Sequence, residues 1–520
     1  MKKIRILSFL LMLLMLLSTL VLPAYAEPDG ADATEETELP WADNPAEYRN
    51  NLMEGAPDYD AGSKTALLLE MNSGIVIYAK NAEETVYPAS LTKIMTCLVA
   101  LKYAGDMLDT MRVNVSESAL AGIAEAGGEV RLKLGEQMTL RDALYYLMIV
   151  SSNEAANVIA EAVGHDIPTF VNMMNALAAE LGCTGTHFAN THGLHNPNHY
   201  TTARDLSIIT RAALTYETFR EIVATPEYTI PATNLSSAAR LVNTNYLILN
   251  DGNRYMADNG DYYTYYYDKA TGVKTGYTSA AGRCVISRAG DGNLDLLCII
   301  MGADTKIMPD GSTRYDNFVE AKKLFNYGFQ NFAYAKLASS GNNPQPVRQE
   351  PVKFSDNKRG VVLVPESDVS CLLPKEYDNA KVTFDYAIDG GEGLKAPLAV
   401  NQRVGTLHVY YDGTKVGEAG LITLTAVEED TTNRVISDMG DAIKDAAGSG
   451  KSTKEKSFFQ RLLSIWYILL LVPAILIVLL LLRNMVYRIY RKNEIKKRKA
   501  REAARRRRYE NRDNNGGTRQ

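Results

Sequence analysis

The chain has 520 residues, of which 46% are hydrophobic, and a formal net charge of −5. That is long enough for two or three domains and too apolar for a wholly disordered chain. Its five cysteines (Cys97, Cys183, Cys284, Cys298 and Cys371) are odd in number and far apart, which excludes a disulfide scaffold. They show no CxxC pairing, and the six histidines show no HExxH, so buried inert thiols are expected, with no metal and no cofactor.

Lys2, Lys3 and Arg5 precede an apolar run from Ile6 to Leu22, and Ala24-Tyr25-Ala26 follows. This is the layout of a secretory signal over residues 1–26, so the chain is expected to be exported. Residues 27–61 are acidic, contain Pro and Gly and have no period, as a flexible lead-in would.

Residues 62–335 read as one large domain. "TALLLEMNSGIVIYAKN" predicts a hairpin around Asn72-Ser73-Gly74. A helix follows from Ser90 to about Ala104, and apolar spacings of three and four predict three helical stretches between Leu140 and Leu181. From Thr271 the pattern turns to strands, "TGVKTGY", "RCVISRA" and "LDLLCIIMG", before a final helix in "YDNFVEAKKLFNYGFQNF". Strands, helices, strands and a helix in this order imply an α+β fold whose antiparallel sheet joins both ends of the domain around a helical lobe.

Ser339 to Pro346 reads as a linker, and residues 348–429 as a small all-β domain with an Asp412-Gly413 hairpin turn. Residues 430–461 form a polar stalk. Residues 462–482 carry no charge, and at 1.5 Å rise they span about 31 Å, the thickness of a bilayer core. The tail, 483–520, holds fifteen Lys or Arg against four acids, a net +11 that leaves −16 for the rest. A single-pass membrane protein is expected, with its body outside and its basic tail in the cytoplasm. No nucleic-acid partner is expected.

The candidate chemistry lies in "YPASLTKIMT". Ser90 reads as an N-cap after Pro88, but Lys93 one turn on also stacks an amine beside its hydroxyl. Ser-x-x-Lys alone is weak, and Ser355 with Lys358 repeats it in the β domain. Ser151-Ser152-Asn153 adds a polar turn between two helices, although Ser151 with Glu154 also reads as a capping box. Lys274-Thr275-Gly276 on a strand is the third element, a tripeptide expected about 0.1 times by chance in this length. These three motif types, in this order, occur in penicillin-recognising serine enzymes.

"PASLTKIMT", "SSNEAAN", "THGLHNPNHYTTARDL" and "GVKTGYTSAAGRC" resemble the serine D-alanyl-D-alanine carboxypeptidases, the low-molecular-weight penicillin-binding proteins. The resemblance spans roughly Thr65 to Ala335 and continues in the all-β domain through "LKAPLAVNQRVGTLHVYYDGTKVG". It implies a penicillin-binding, β-lactamase-like transpeptidase fold and removal of the terminal D-alanine from peptidoglycan stem pentapeptides, with β-lactams as inhibitors.

In that reading Ser90 is the nucleophile, Lys93 its base and Ser151 the proton relay. Asn153 holds the peptide amide, the backbone N–H groups of Ser90 and Tyr277 receive the oxyanion, and Lys274, Thr275 and Gly276 bind the substrate terminus. A β-lactamase of class A type is the neighbouring alternative, but between Glu180 and Glu217 there is no Glu to serve as its deacylating base. A non-catalytic wall-binding membrane protein is the other, and it would not need Ser90, Lys93, Ser151 and Lys274 together.

Two segments depart from the family pattern. Where many relatives carry an arginine after the strand following Lys-Thr-Gly, this chain has Gly302-Ala303-Asp304, so Lys306 or Arg314 is expected to substitute. "DYYTYYYDK", Asp261 to Lys269, reads either as an exposed insertion hairpin or as a platform at the cleft rim.

Overall fold

The structure, a computed structural model, describes residues 62–440 except 356–359, 392, 433, 436 and 437. The chain divides into two compact units, 1–429 and 430–520. The expected signal, lead-in, membrane span and basic tail lie outside the described residues, as do Lys358 and most of the stalk.

Six apolar or shielded residues in a row make β1 (Thr65–Glu70) a strand buried on both faces. It pairs with β2 (Val76–Lys80) through the expected hairpin, and on its other side with the last strand of the same sheet. Those later strands are β3 (Ala270–Thr278), β4 (Gly282–Gly290) and β5 (Asp295–Ala303), and the sheet order is β2-β1-β5-β4-β3, antiparallel throughout. Leu67 opposite Ile299 and Leu69 opposite Leu297 fix the register that joins the two ends of the domain.

Each sheet face has its own core. Leu67, Leu69, Ile286, Ile299 and Met301 pack into the helical lobe, while Leu68, Val285, Cys298 and Ile300 face α7 (Asp316–Asn331). The lobe contains α1 (Thr92–Ala104), α2 (Leu140–Ile149), α3 (Asn153–Gly164), α4 (Ile167–Glu180), α5 (Ala203–Leu214) and α6 (Glu217–Ala224). In α1 every residue except Lys102 and Tyr103 is buried, so it is the central helix and has no polar face. Sequence periodicity missed α5 and α6. The signal available for α5 was Thr202, whose hydroxyl caps the helix by accepting the Asp205 N–H at 3.0 Å.

Two expected helix starts differ from the sequence reading. Ser90 sits inside a 3₁₀ turn, Ala89–Leu91, and does not cap α1, which has no side-chain cap bond. Ser152, not Ser151, caps α3 by accepting the Ala155 N–H at 3.0 Å, while Glu154 turns to the Arg131 and Leu132 N–H groups. Both nearby serines are thereby released from capping.

The strand Phe332–Ala338 continues directly from α7 and pairs with Val369–Pro374, so the all-β part begins before the expected linker. That linker is itself ordered: Ser339 and Gln345 exchange backbone bonds at 2.7 and 2.9 Å. A five-stranded sheet follows, and Asp412 and Gly413 turn its central hairpin with φ of 50° and 78°. The five cysteines are all buried thiols, and burial pushes the Cys183 thiol up to about 12 and that of Cys284 to about 11.

Candidate active site

Ser90 is presented by a strained turn. Ala89 adopts φ +48°, a conformation unfavourable for a residue with a Cβ. Its carbonyl is pinned by the Thr92 hydroxyl at 2.8 Å, and Thr92 Oγ1 lies 2.7 Å from His199 Nε2. His199 Nδ1 accepts the Ala189 N–H at 3.0 Å, which assigns the ring proton to Nε2 and makes the imidazole the donor to Thr92. Gly193 closes the turn from the other side with φ +89°. A Cβ there would stand 1.8 Å from the Ala89 oxygen, so only glycine fits.

The Lys93 side chain is 0% exposed. Its Nζ lies 3.0 Å from Ser90 Oγ, 2.8 Å from Asn153 Oδ1 and 2.7 Å from the His192 carbonyl oxygen. Burial first, and then the charge of Lys274, hold its pKa well below the ordinary lysine value, with Glu154 opposing the shift. Lys274 on β3 is 1% exposed and donates to the Thr275 carbonyl at 3.0 Å; burial brings its pKa to about 7.

Ser151 stands between α2 and α3 with φ +60° and lines a cleft of about 560 Å³ together with Ser90, Thr275, Gly276 and Tyr277. Thr275 Oγ1 is 2.6 Å from Thr244 Oγ1, on the segment that leads from the lobe back to the sheet. Gly276 lets the strand edge approach the Ser90 turn: a Cβ on it would lie 3.1 Å from the Ser90 backbone nitrogen. Ser90, Lys93, Ser151, Asn153, Lys274, Thr275, Gly276 and Tyr277 therefore meet around one cleft.

Lys306 and Arg314 do not join them. Arg314 is bound to Asp316 at 2.6 Å and to Asp258 at 2.9 Å, and Lys306 lies 3.5 Å from Asp316. Both line a separate cavity of about 420 Å³ and neither lines the Ser90 cleft. The reason is register: β5 ends at Ala303, and the following short pair, Thr305–Ile307 with Thr313–Tyr315, carries both side chains onto another surface.

The tyrosine-rich segment does form an exposed hairpin arm, Tyr262–Thr264 against Arg254–Met256, but its C-terminal half turns inward. Tyr265 and Tyr267 are buried, and Tyr265 accepts the Tyr315 N–H at 2.9 Å. Its ring lies within 5.6 Å of Tyr246 and of Phe318, which line the cleft. The segment buttresses the cleft wall from behind, and none of residues 261–269 lines the cleft itself.

The buried imidazoles make a pH prediction. Burial holds His192 and His199 at about 3, against 6.5 for an exposed histidine. In the unfolded chain both protonate below about pH 6.5, so the unfolded state binds more protons and stability falls as pH drops through that value, by up to ~1.4 kcal/mol per pH unit per histidine. Thermal midpoints should fall between pH 7 and 5, and His199→Gln should flatten that slope. An unchanged slope in the variant would refute the assignment.

Residues 51–305 match the D-alanyl-D-alanine carboxypeptidase family, and residues 332–429 match the penicillin-binding protein 5 C-terminal domain. The chain is 30% identical over 360 residues to D-alanyl-D-alanine carboxypeptidase DacF of Bacillus subtilis, covering 69% of this chain and 84% of that protein. It is 30% identical over 375 residues to DacA of Haemophilus influenzae, covering 71% and 86%. The crystal structure of penicillin-binding protein 5 from Haemophilus influenzae is similar with a TM-score of 0.51 and 29% identity, over 72% of this chain and all of that one. With both domains matched and the three motifs gathered at one cleft, the chain belongs to the D-alanyl-D-alanine carboxypeptidase family.

Proposed function

We propose that the protein removes the terminal D-alanine from peptidoglycan stem pentapeptides through an acyl-enzyme on Ser90, and that penicillins acylate the same hydroxyl. The observation that carries this is the cage around the Lys93 amine. A neutral amine has two N–H donors and one lone pair. The Asn153 and His192 oxygens take both donors, which leaves the lone pair for the Ser90 O–H. Burial and the Lys274 charge hold Lys93 neutral, and the two acceptors aim its lone pair, which is what a general base for a hydroxyl requires.

The steps follow from that arrangement. Ser90 Oγ attacks the carbonyl carbon of the penultimate D-alanine and passes its proton to Lys93 Nζ. The oxyanion lies between the N–H groups of Ser90 and Tyr277, which the close approach of Gly276 brings together. As the C–N bond breaks, Ser151 hands its proton to the leaving D-alanine nitrogen and takes one back from Lys93, which returns to the neutral amine. Water, deprotonated by Lys93, then releases the shortened peptide. Asn153 holds the peptide amide, and Lys274, through its charge, keeps the Lys93 pKa low.

Full-length Ser90→Ala, extracted in detergent, should lose both D-alanine release and covalent penicillin labelling. Because Ser90 is not a cap, its thermal midpoint should stay close to wild type. Fast penicillin hydrolysis by the wild type without D-alanine release would instead favour the β-lactamase reading, and no acyl-enzyme at all would favour a wall-binding protein.

Lys274→Gln should move the acid limb of penicillin acylation to higher pH, because Lys93 then loses a neighbour that disfavours its protonation. An acid limb that stays in place or moves down would rule out this coupling.

We place the catalytic body outside the cell and the tail, 483–520, in the cytoplasm. Residues 1–26 carry export, residues 462–482 span the bilayer, and the +11 tail stays inside. Among the described residues no helix is long and apolar enough to cross a membrane, and 462–482 lie outside them. Protease added to intact spheroplasts should digest the Ser90 domain and spare the tail; a digested tail would overturn this topology.

A further inference from the structure

The expected anchors for the substrate's terminal carboxylate, Lys306 and Arg314, are committed elsewhere, yet the cleft is not without a cation. Among its lining residues the one basic side chain is Arg283, the second residue of β4. We propose that Arg283 receives the terminal carboxylate of the stem peptide and selects substrates that carry one. The proposal rests on the carboxypeptidase reading of the Ser90 cleft.

The strand register sets Arg283 there. It stands directly opposite Tyr277 on β3, and Thr275 is two residues along β3, opposite Val285. Opposed residues in an antiparallel pair share a face, and the diagonal separation is about 7–8 Å, which an arginine side chain spans. The Thr275 hydroxyl and the Arg283 guanidinium therefore border the same space, one Cα step from the Ser90 turn that Gly276 touches.

The guanidinium is also held in a defined plane. Its carbon lies 4.3 Å from the Tyr277 ring centroid and 4.4 Å from that of Tyr315, with the cation over both ring faces. Nε donates to Thr305 Oγ1 at 3.2 Å. That leaves the two Nη groups as an in-plane fork, the geometry that fits a carboxylate with two parallel bonds. Among the described residues no carboxylate pairs with Arg283, whereas Arg314 has two. The aromatic buttress behind the cleft gains a purpose here, because Tyr265 accepts the Tyr315 N–H and sets its ring, tilted, beside that of Tyr315, one of the two rings that hold the guanidinium.

The test compares two substrates that share one acyl group. One is a peptide ending in D-Ala-D-Ala with a free carboxylate; the other is the ester of the same acyl-D-alanine with a neutral alcohol as leaving group. In the full-length protein, Arg283→Ala should lower kcat/KM on the free acid by about 10²-fold, the size of a lost charge-assisted pair. The loss on the neutral ester should be at least about tenfold smaller, and Arg283→Lys should recover part of the activity on the acid because charge returns without the fork. Arg283→Met, which keeps an apolar stem between the two rings, should repeat the Ala pattern and so separates charge from packing. No loss on the free acid, or equal losses on both substrates in Ala and Met alike, would overturn the assignment. A wild type that hydrolyses neither substrate would instead defeat the carboxypeptidase reading, and this proposal with it.

Discussion

A single buried amine organises this molecule: Lys93 Nζ, held 3.0 Å from Ser90 Oγ by two carbonyl-type acceptors. It has to be dry to stand unprotonated, because burial first, and then a neighbouring cation, lower its pKa. Dryness in turn requires that α1 be enclosed on every side, and the helical lobe does this. The unfolded chain keeps both Lys93 and Lys274 protonated at neutral pH, so folding expels protons at this site. The two amines therefore oppose folding below the ordinary lysine pKa, and the apolar clusters on both sheet faces offset that cost.

The Ser90 turn shows how the opposing surface is kept close. Ala89 in a left-handed conformation aims Ser90 away from the helix it would otherwise cap. The turn persists because its carbonyl is bound by Thr92, which His199 holds, and because Gly193 leaves room for it. On the other side β3 is the edge strand of the sheet, and its Lys-Thr-Gly-Tyr run faces the cleft with one backbone edge unpaired within the sheet order. An extended peptide is the natural complement of such an edge. One element supplies a fixed hydroxyl, the other a strand edge, and the lobe supplies the buried amine.

The all-β domain is joined stiffly to this machinery. The strand Phe332–Ala338 follows α7 without a break, and Tyr334 donates to Glu70 at the end of β1 at 2.6 Å. Burial and that carboxylate push the Tyr334 hydroxyl well above its usual pKa, so it keeps its proton as a donor to Glu70 in alkaline solution. The expected linker, Ser339 to Pro346, is a tied loop within the domain and not a hinge.

Local features were legible in the amino-acid order alone. Period-two and unbroken apolar runs located the five strands of the main sheet, the spacing of three and four located the lobe helices α2 to α4, and Ser90, Lys93, Ser151, Asn153 and Lys274 were legible because one helical turn or one tripeptide contains each motif. Tertiary structure decided whatever depends on which residues from distant segments meet. Capping rules placed Ser90 and Ser151 at helix starts, but packing against Gly193 and the Tyr146 carbonyl moved the caps by a residue and freed both side chains. The roles of His192, His199 and Thr244 lie in irregular segments that have no period to read. Arg283 was invisible as a site residue because position along β4 says nothing of the partner strand. Only the register of β4 on β3 puts its side chain opposite Tyr277, while the same register rule at the end of β5 turns Lys306 and Arg314 away.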